Sequence, residues 1–456
     1  MKPDSPLPAD FSHRDGLRYG LLGLPLAFVA LPLYVLLPNH YARAYGIPLA
    51  TLGAVLLGAR LLDALIDPLL GRLTDRLFAR STRAVLTFGS LAALVLLSGF
   101  ALLFFPEWLV DTSQPRTLLV LTTAVLVWTY IGFSALSVAH QSWGALLGGD
   151  EAQRSRVVGW REGLGLVGVL LASVVPVLAG LPAMLALFAI ALAAGLWLWS
   201  HAPRPFHPAP VTPAPRAMAM AMASDAIPRV VPSPWRQPAF RRLLTVFMLN
   251  GIASAIPATL VLFFVQDRLQ APSNLAPAFL GMYFVCAALS VPLLWLRLVP
   301  RFGLARSWLL GMVLAIATFG WANLLGSGDS LSFMAVCALS GIALGADLVL
   351  PGALLAGVIA NAAGGTTPAS PPAGTGVAGA SFGWWNFATK LNLALAAGLA
   401  LPLLGLAGYA PGTRQPEALH ALSLAYCVLP CALKFIAALS LWRLLIHPST
   451  LAKVTP

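Results

Sequence analysis

The chain has 456 residues, of which 59% are hydrophobic and only 10% charged, with a mean hydropathy of +0.83. Soluble globular chains carry about 25% charged residues, so this composition excludes a water-soluble fold and points to a polytopic, all-α membrane protein. The formal charge of +12 would suit nucleic acid as a partner, but the placement of the basic residues argues for a topological role instead.

Apolar runs near 20 residues long, enough to cross about 30 Å of hydrocarbon, recur along the chain. They predict twelve transmembrane helices over 18–38, 48–70, 84–105, 117–146, 157–180, 182–200, 241–265, 276–297, 305–326, 331–359, 378–406 and 419–446. The first 17 residues are polar and no cleavage site follows the first run, so that helix is expected to insert and stay. With the loops assigned alternately to two sides, 21 of the 28 Lys and Arg fall on the side of the N-terminus. Only Arg43, Arg116, Arg268 and Arg414 fall on the other, and Arg60, Lys390 and Lys434 lie within helices. This asymmetry places both termini in the cytoplasm, and it accounts for the basic excess without nucleic acid.

His201 to Pro238 is a long polar interruption rich in Pro, Ala and Met, and reads as a cytoplasmic linker. It divides the chain into an N-terminal six-helix half (1–200), the linker (201–240) and a C-terminal six-helix half (241–456). The loop after the second helix, GRLTDRLFARSTR from Gly71, is echoed after the eighth by RLVPRFGLARSW from Arg297. Such internal repeats underlie alternating-access transport.

Within the second run, Asp63 and Asp67 stand one helical turn apart, with Arg60 three residues before Asp63. All three share one helix face. A carboxylate in hydrocarbon costs at least about 2.5 kcal/mol on insertion scales, so that face must look into the bundle or a water-filled cavity. There the pair can hold a proton or a small cation, or else serve as a structural ion pair between helices. Gly163-Leu-Gly165-Leu-Val-Gly168 matches a dinucleotide-binding pattern but lacks the strand that chemistry needs; small residues at this spacing let helices approach closely. Cys286, Cys337, Cys427 and Cys431 all lie in apolar runs and read as packing residues. No metal site, cofactor or catalytic constellation is apparent, so an enzyme is not expected. A monomer is.

Gly71-x-x-x-Asp75-Arg76-x-x-x-Arg80 resembles the loop motif of the major facilitator superfamily, whose Asp and Arg join helices across the cytoplasmic face and favour one gate state. The preceding segment, Ala59-Arg60-Leu-Leu-Asp63-Ala64-Leu-Ile-Asp67-Pro68-Leu-Leu-Gly71, resembles the second-helix signature of the glycoside–pentoside–hexuronide cation symporters, the melibiose permease family. Trp143-Gly144-Ala145, Asp150, Arg154, Arg156 and Trp160-Arg161-Glu162 are similar to that family's fourth-to-fifth helix connection. Gly345-Ala346-Asp347 with Pro351, and Lys390 before Gly408-Tyr409, are similar to its tenth and eleventh helices. The resemblance implies twelve helices in the major facilitator fold, a cation site at Asp63 and Asp67, and a lysine, Lys390, that approaches them; with Arg60 this coupling cluster is charge-balanced when both acids ionise, so that a proton or cation entering shifts the balance.

The departures from the family pattern bear on ion and substrate. Ile66 stands where the family has an Asn, an oxygen ligand that a sodium ion wants and a proton does not need; H+ is therefore favoured over Na+. Ala27 and Ser137 stand at the positions of the two sugar carboxylates, and Gly357 and Ala360 where many relatives carry a tenth-helix acid. The expected cavity lining is aromatic and weakly polar: Tyr34, Trp128, Tyr130, Ser137, His140, Gln141, Trp143, Trp384, Trp385 and Asn386. Arg161 and Glu162 are expected to pair at the cytoplasmic end. The sequence thus predicts a proton-coupled secondary transporter, moving a sugar or glycoside by resemblance, in the inner membrane of a bacterium. A lysolipid-like amphiphile as solute, and a non-transporting scaffold or sensor, stand as alternatives.

Overall fold

The computed structural model describes residues 11–447 except 48, 112–113, 206–232, 273–274, 364–376 and 411. Among the described residues there is no strand. The described residues form twelve helical rods in order. The first, α1 (13–44), joins His13–Gly20, Gly23–Leu31, a π-helical turn at Pro32–Leu36 and Leu37–Ala44. Next come α2 (Leu49–Arg80), α3 (Thr82–Phe104) and α4 (Pro115–Leu146). Glu151–Ser200 is bent at Gly180, whose φ of +80° suits a residue without Cβ, and Pro182 follows. We treat its two arms as α5 (151–179) and α6 (181–200). The second half comprises α7 (Pro238–Arg268), α8 (Ala276–Phe302), α9 (Leu304–Ala322), α10 (Ser330–Ala363), α11 (Ala378–Leu406) and α12 (Pro416–Ile446).

Local signals set several of these ends. Ser12 and Asp15 form a reciprocal capping box at α1, and the Ser81 hydroxyl accepts from the Ala84 N–H to start α3. Gly148 and Gly149, both at positive φ, make the turn into α5, where the Asp150 carboxylate accepts from the Gln153 N–H at 2.7 Å. The second span runs on to Arg80, well past the expected 70, so the motif loop is helical and the connection to α3 is a single residue. Most of the expected linker and part of the α10–α11 connection lie outside the described residues.

Among the described residues, eight helices are long and apolar enough to cross a bilayer, Glu151–Ser200 counted as one. The rods outside that set are α1, α2 and α11, and the last two carry Asp63, Asp67 and Lys390. On α2, Leu57, Leu61, Leu65, Leu69 and Leu73 form an exposed stripe at four-residue spacing. The two acids lie on the opposite, buried side, as the cost of charge in hydrocarbon requires.

Burial separates three cores. One belongs wholly to the N-terminal half and centres on Phe28, Phe100, Phe188 and Trp199. A second lies in the C-terminal half around Trp295 and Trp308 but also takes in Val138, Ala145 and Val158 of α4 and α5. The third, around Phe264, Phe333 and Tyr426, draws only on the C-terminal half. The two halves therefore share a core at the end bearing the basic loops. The small residues of the decoy motif serve this packing: a Cβ on Gly168 would overlap the Leu24 carbonyl of α1.

Candidate functional site

Lys390 of α11 reaches from the C-terminal half into the N-terminal half. Its ammonium lies 2.6 Å from Asp63 Oδ2 and 2.7 Å from Asp67 Oδ2. It also donates to Ser134 Oγ of α4 at 2.9 Å, and Ser134 in turn donates to Asp63 Oδ1 at 2.6 Å. Asp63 is 3% exposed and Asp67 fully buried. Three helices, α2, α4 and α11, thus close a ring of two carboxylates, one hydroxyl and one ammonium. Its three charges sum to minus one, and the Arg60 guanidinium on the same helix as the acids brings the four charges to balance when both acids are ionised. Asp67 Oδ1 accepts no hydrogen bond among the described residues. A buried carboxylate oxygen without a donor carries a desolvation cost that a proton on that atom removes. Arg60 is half-buried on the same helix.

Two further acids join the halves at the basic end. Asp75, 1% exposed, accepts from the backbone N–H groups of Gly379 at 2.7 Å and Ala380 at 2.8 Å. A carboxylate at the start of α11 meets both unpaired donors and the positive end of the helix dipole. This seat depends on close approach, because a Cβ on Gly71 or on Gly379 would overlap the other residue's carbonyl oxygen. Glu151, at the start of α5, likewise accepts from the Leu304 N–H of α9 at 2.8 Å.

The sequence profile of the MFS/sugar transport protein family matches residues 18–447. The chain belongs to that family. No curated protein sequence matches it. Among solved structures it is similar to a bacterial homologue of the iron transporter ferroportin in an outward-facing state, at 16% identity and a TM-score of 0.64, covering 94% of this chain and 99% of that one. It is also similar to the E. coli fucose:proton symporter, at 17% identity and a TM-score of 0.57, covering 93% and 98%. At such identities the likeness establishes the fold: two six-helix halves of a major facilitator transporter.

Within this transporter the other residues singled out by sequence are dispersed. His140 is fully buried and bonded through Nε2 to the Tyr19 carbonyl at 2.8 Å, with the Tyr19 hydroxyl donating back to the His140 carbonyl at 3.1 Å. This pair ties α1 to α4. Trp143 donates to the Pro203 carbonyl at 2.9 Å and packs against Trp199. Trp384 meets Trp235 edge-on at 5.1 Å, and Trp385 stacks on Phe247 at 3.7 Å. Ser137 is buried, Gln141 and Asn386 are half-buried, and Trp128 is half-exposed, donating to Ser98. Tyr130 is buried, while the side chain of Tyr34 lies outside those described. Arg161 and Glu162 pair at 2.5 Å. Of the loop motif, Gly71 and Asp75 are buried between the halves, whereas Arg76 and Arg80 are exposed.

Sequence reasoning missed the place of Ser134 and the pairing of Asp347 with Lys434. Ser134 bridges the coupling cluster, although a hydroxyl amid apolar neighbours on α4 gives little signal. Asp347 and Lys434 form a second buried ion pair at 2.8 Å. Both stood out as charges inside apolar runs, and opposite charges at membrane depth seek each other.

Proposed function

We propose that this transporter is a cation-coupled secondary carrier of a small organic solute, with the proton as coupling ion, acting by alternating access in the cytoplasmic membrane of a bacterium. The observation that carries the reading is Lys390 held between Asp63 and Asp67, because this contact crosses the interface between the halves. A proton on Asp67 removes that carboxylate's charge and weakens its hold on the ammonium. The strength of the tie between α2 and α11 then depends on cation occupancy, which is what coupling a gradient to a rocking motion requires.

A proton suits this ring better than sodium. The ammonium already fills the space between the two carboxylates, and Ile66 offers no oxygen in place of the family's Asn. A sodium ion would have to displace Lys390 and find several oxygen ligands, whereas a proton needs one acceptor, such as Asp67 Oδ1. The solute class, sugar or glycoside, follows from the family alone. The Asp75 and Glu151 contacts hold the basic ends together, which corresponds to a closed cytoplasmic gate.

Proteoliposomes carrying the purified protein test this with a panel of radiolabelled hexoses, pentoses and glycosides. Uptake follows an imposed pH gradient and is indifferent to sodium. A strict sodium requirement at constant pH overturns proton coupling.

A further inference from the structure

Asp347 of α10 and Lys434 of α12 form a second acid–lysine cluster, and it lies wholly inside the C-terminal half. Lys434 donates to Asp347 Oδ2 and to Ser254 Oγ of α7, each at 2.8 Å. Ser254 donates to the same Asp347 oxygen at 3.2 Å, and the Trp308 indole of α9 donates to Oδ1 at 2.8 Å. Asp347 is thus supplied with three donors. The ammonium has three N–H groups and uses two among the described residues.

The cluster opens on a cavity of about 350 Å³, a size typical of small-molecule sites. None of Asp63, Asp67, Ser134 and Lys390 lines it, and among the described residues Leu31 is its one lining residue from the N-terminal half. The charged groups sit at one end. The lining run on α10 goes from Val336 to Asp347, that on α12 from Tyr426 to Lys434, and that on α7 from Ala253 to Leu262 with Ser254 at its start. Neighbouring rods run antiparallel, so Ser254, Asp347 and Lys434 mark the same extremity. The rest of the wall is mostly apolar, with Phe279, Phe284, Phe319 and Leu344 among its members. At 1.5 Å of rise per residue the α10 wall alone is roughly 16 Å long. The cavity is long, oily and charged at one tip.

We propose that this cavity is a binding site for an amphiphilic carboxylic acid, with its head on Lys434 and its tail along α7, α10 and α12. The head must accept a hydrogen bond, because the unused capacity at the tip is an ammonium N–H. The coupling cluster shows the geometry such a head would complete: two carboxyl groups about one lysine, as Asp63 and Asp67 stand about Lys390. Here the chain supplies one carboxyl and the ligand the other. The acid enters with its own proton, so the two carboxyl groups share one proton beside one ammonium and the site stays neutral. A cationic head has no place, since Lys434 already answers Asp347. The site is independent of cation coupling, because no residue of the coupling cluster takes part.

Equilibrium binding of tritiated decanoate to the full chain in a maltoside detergent tests the proposal. Binding is saturable, displaced by unlabelled decanoate, and resistant to decanol and decyltrimethylammonium at equal concentration. Losing one charge-assisted bond in Lys434→Met weakens binding about tenfold or more, and Lys434→Arg retains it. Ala258→Trp fills the cavity from an exposed lining position and abolishes binding while the charge cluster stays intact, so the test survives a misfolded Lys434 variant. Asp63→Asn binds as the parent does. Absence of saturable binding, equal displacement by decanol, or parental affinity in Ala258→Trp overturns the proposal.

Discussion

Replacing Asp75 with Ala removes both hydrogen bonds that this carboxylate accepts from the start of α11, at 2.7 and 2.8 Å, in a spot that is 1% exposed. Bonds to a charged group contribute about 1.5–3 kcal/mol each. Taking the lower figure for both, the state with joined basic ends loses about 3 kcal/mol relative to the state in which they part, a shift of about 150-fold. A closed population near 99:1 would fall to about parity. Spin labels at the exposed Arg80 and Arg301 positions, one at the basic end of each half, read this as a distance distribution. The variant acquires a second, longer component that the parent lacks, and Asp75→Asn, which keeps one acceptor, falls between the two. Parental distances in Asp75→Ala would show that this contact does not set the gate equilibrium, and the latch argument would fail.

Asp63→Asn abolishes concentrative uptake but spares exchange, since exchange needs the gate motion and not the cation cycle; counterflow in proteoliposomes separates the two, and normal accumulation would make the acid structural. Lys390→Met takes the ammonium from between two buried carboxylates and destabilises the protein by about 3–5 kcal/mol. Thermal unfolding measures this, and the double variant with Asp67→Asn regains much of the loss. Simple galactosides bind weakly or not at all, because Ala27 and Ser137 supply no charged, bidentate acceptor for sugar hydroxyls. Titration of the purified protein with a galactoside panel decides this, and micromolar binding would show that other residues grip the sugar.

The architecture was legible because membrane spans are written in composition: a run of 20 apolar residues has few alternatives in lipid. The boundary expected between 180 and 182 falls at the α5–α6 bend, and the acids on α2 declared a buried face. The extension of α2 to Arg80 was hidden, because beyond the bilayer a helix needs no apolar signal and the polar run read as loop. Distances between halves were also beyond reach of pattern. Nothing in the sequence of α4 says that Ser134, rather than Ser137 one turn on, meets the acids. His140 stood out as a polar group in an apolar run, and its partner proved to be a backbone carbonyl, a common fate for a buried ring nitrogen.

The two acid–lysine clusters differ in what they connect, and this difference assigns them different work. Lys390 bridges helices of opposite halves, so any motion that parts α2 from α11 must break its two short contacts. Desolvated charges make such a break costly unless a proton or cation compensates, and the gate motion is thereby bound to occupancy. Lys434 bridges helices of one half only, with Ser254 and Trp308 completing the ring. A rigid-body rotation of that half leaves every one of these bonds intact. A ligand seated on Lys434 therefore travels with the C-terminal half through the cycle, and among the described residues it meets the N-terminal half at Leu31 of α1.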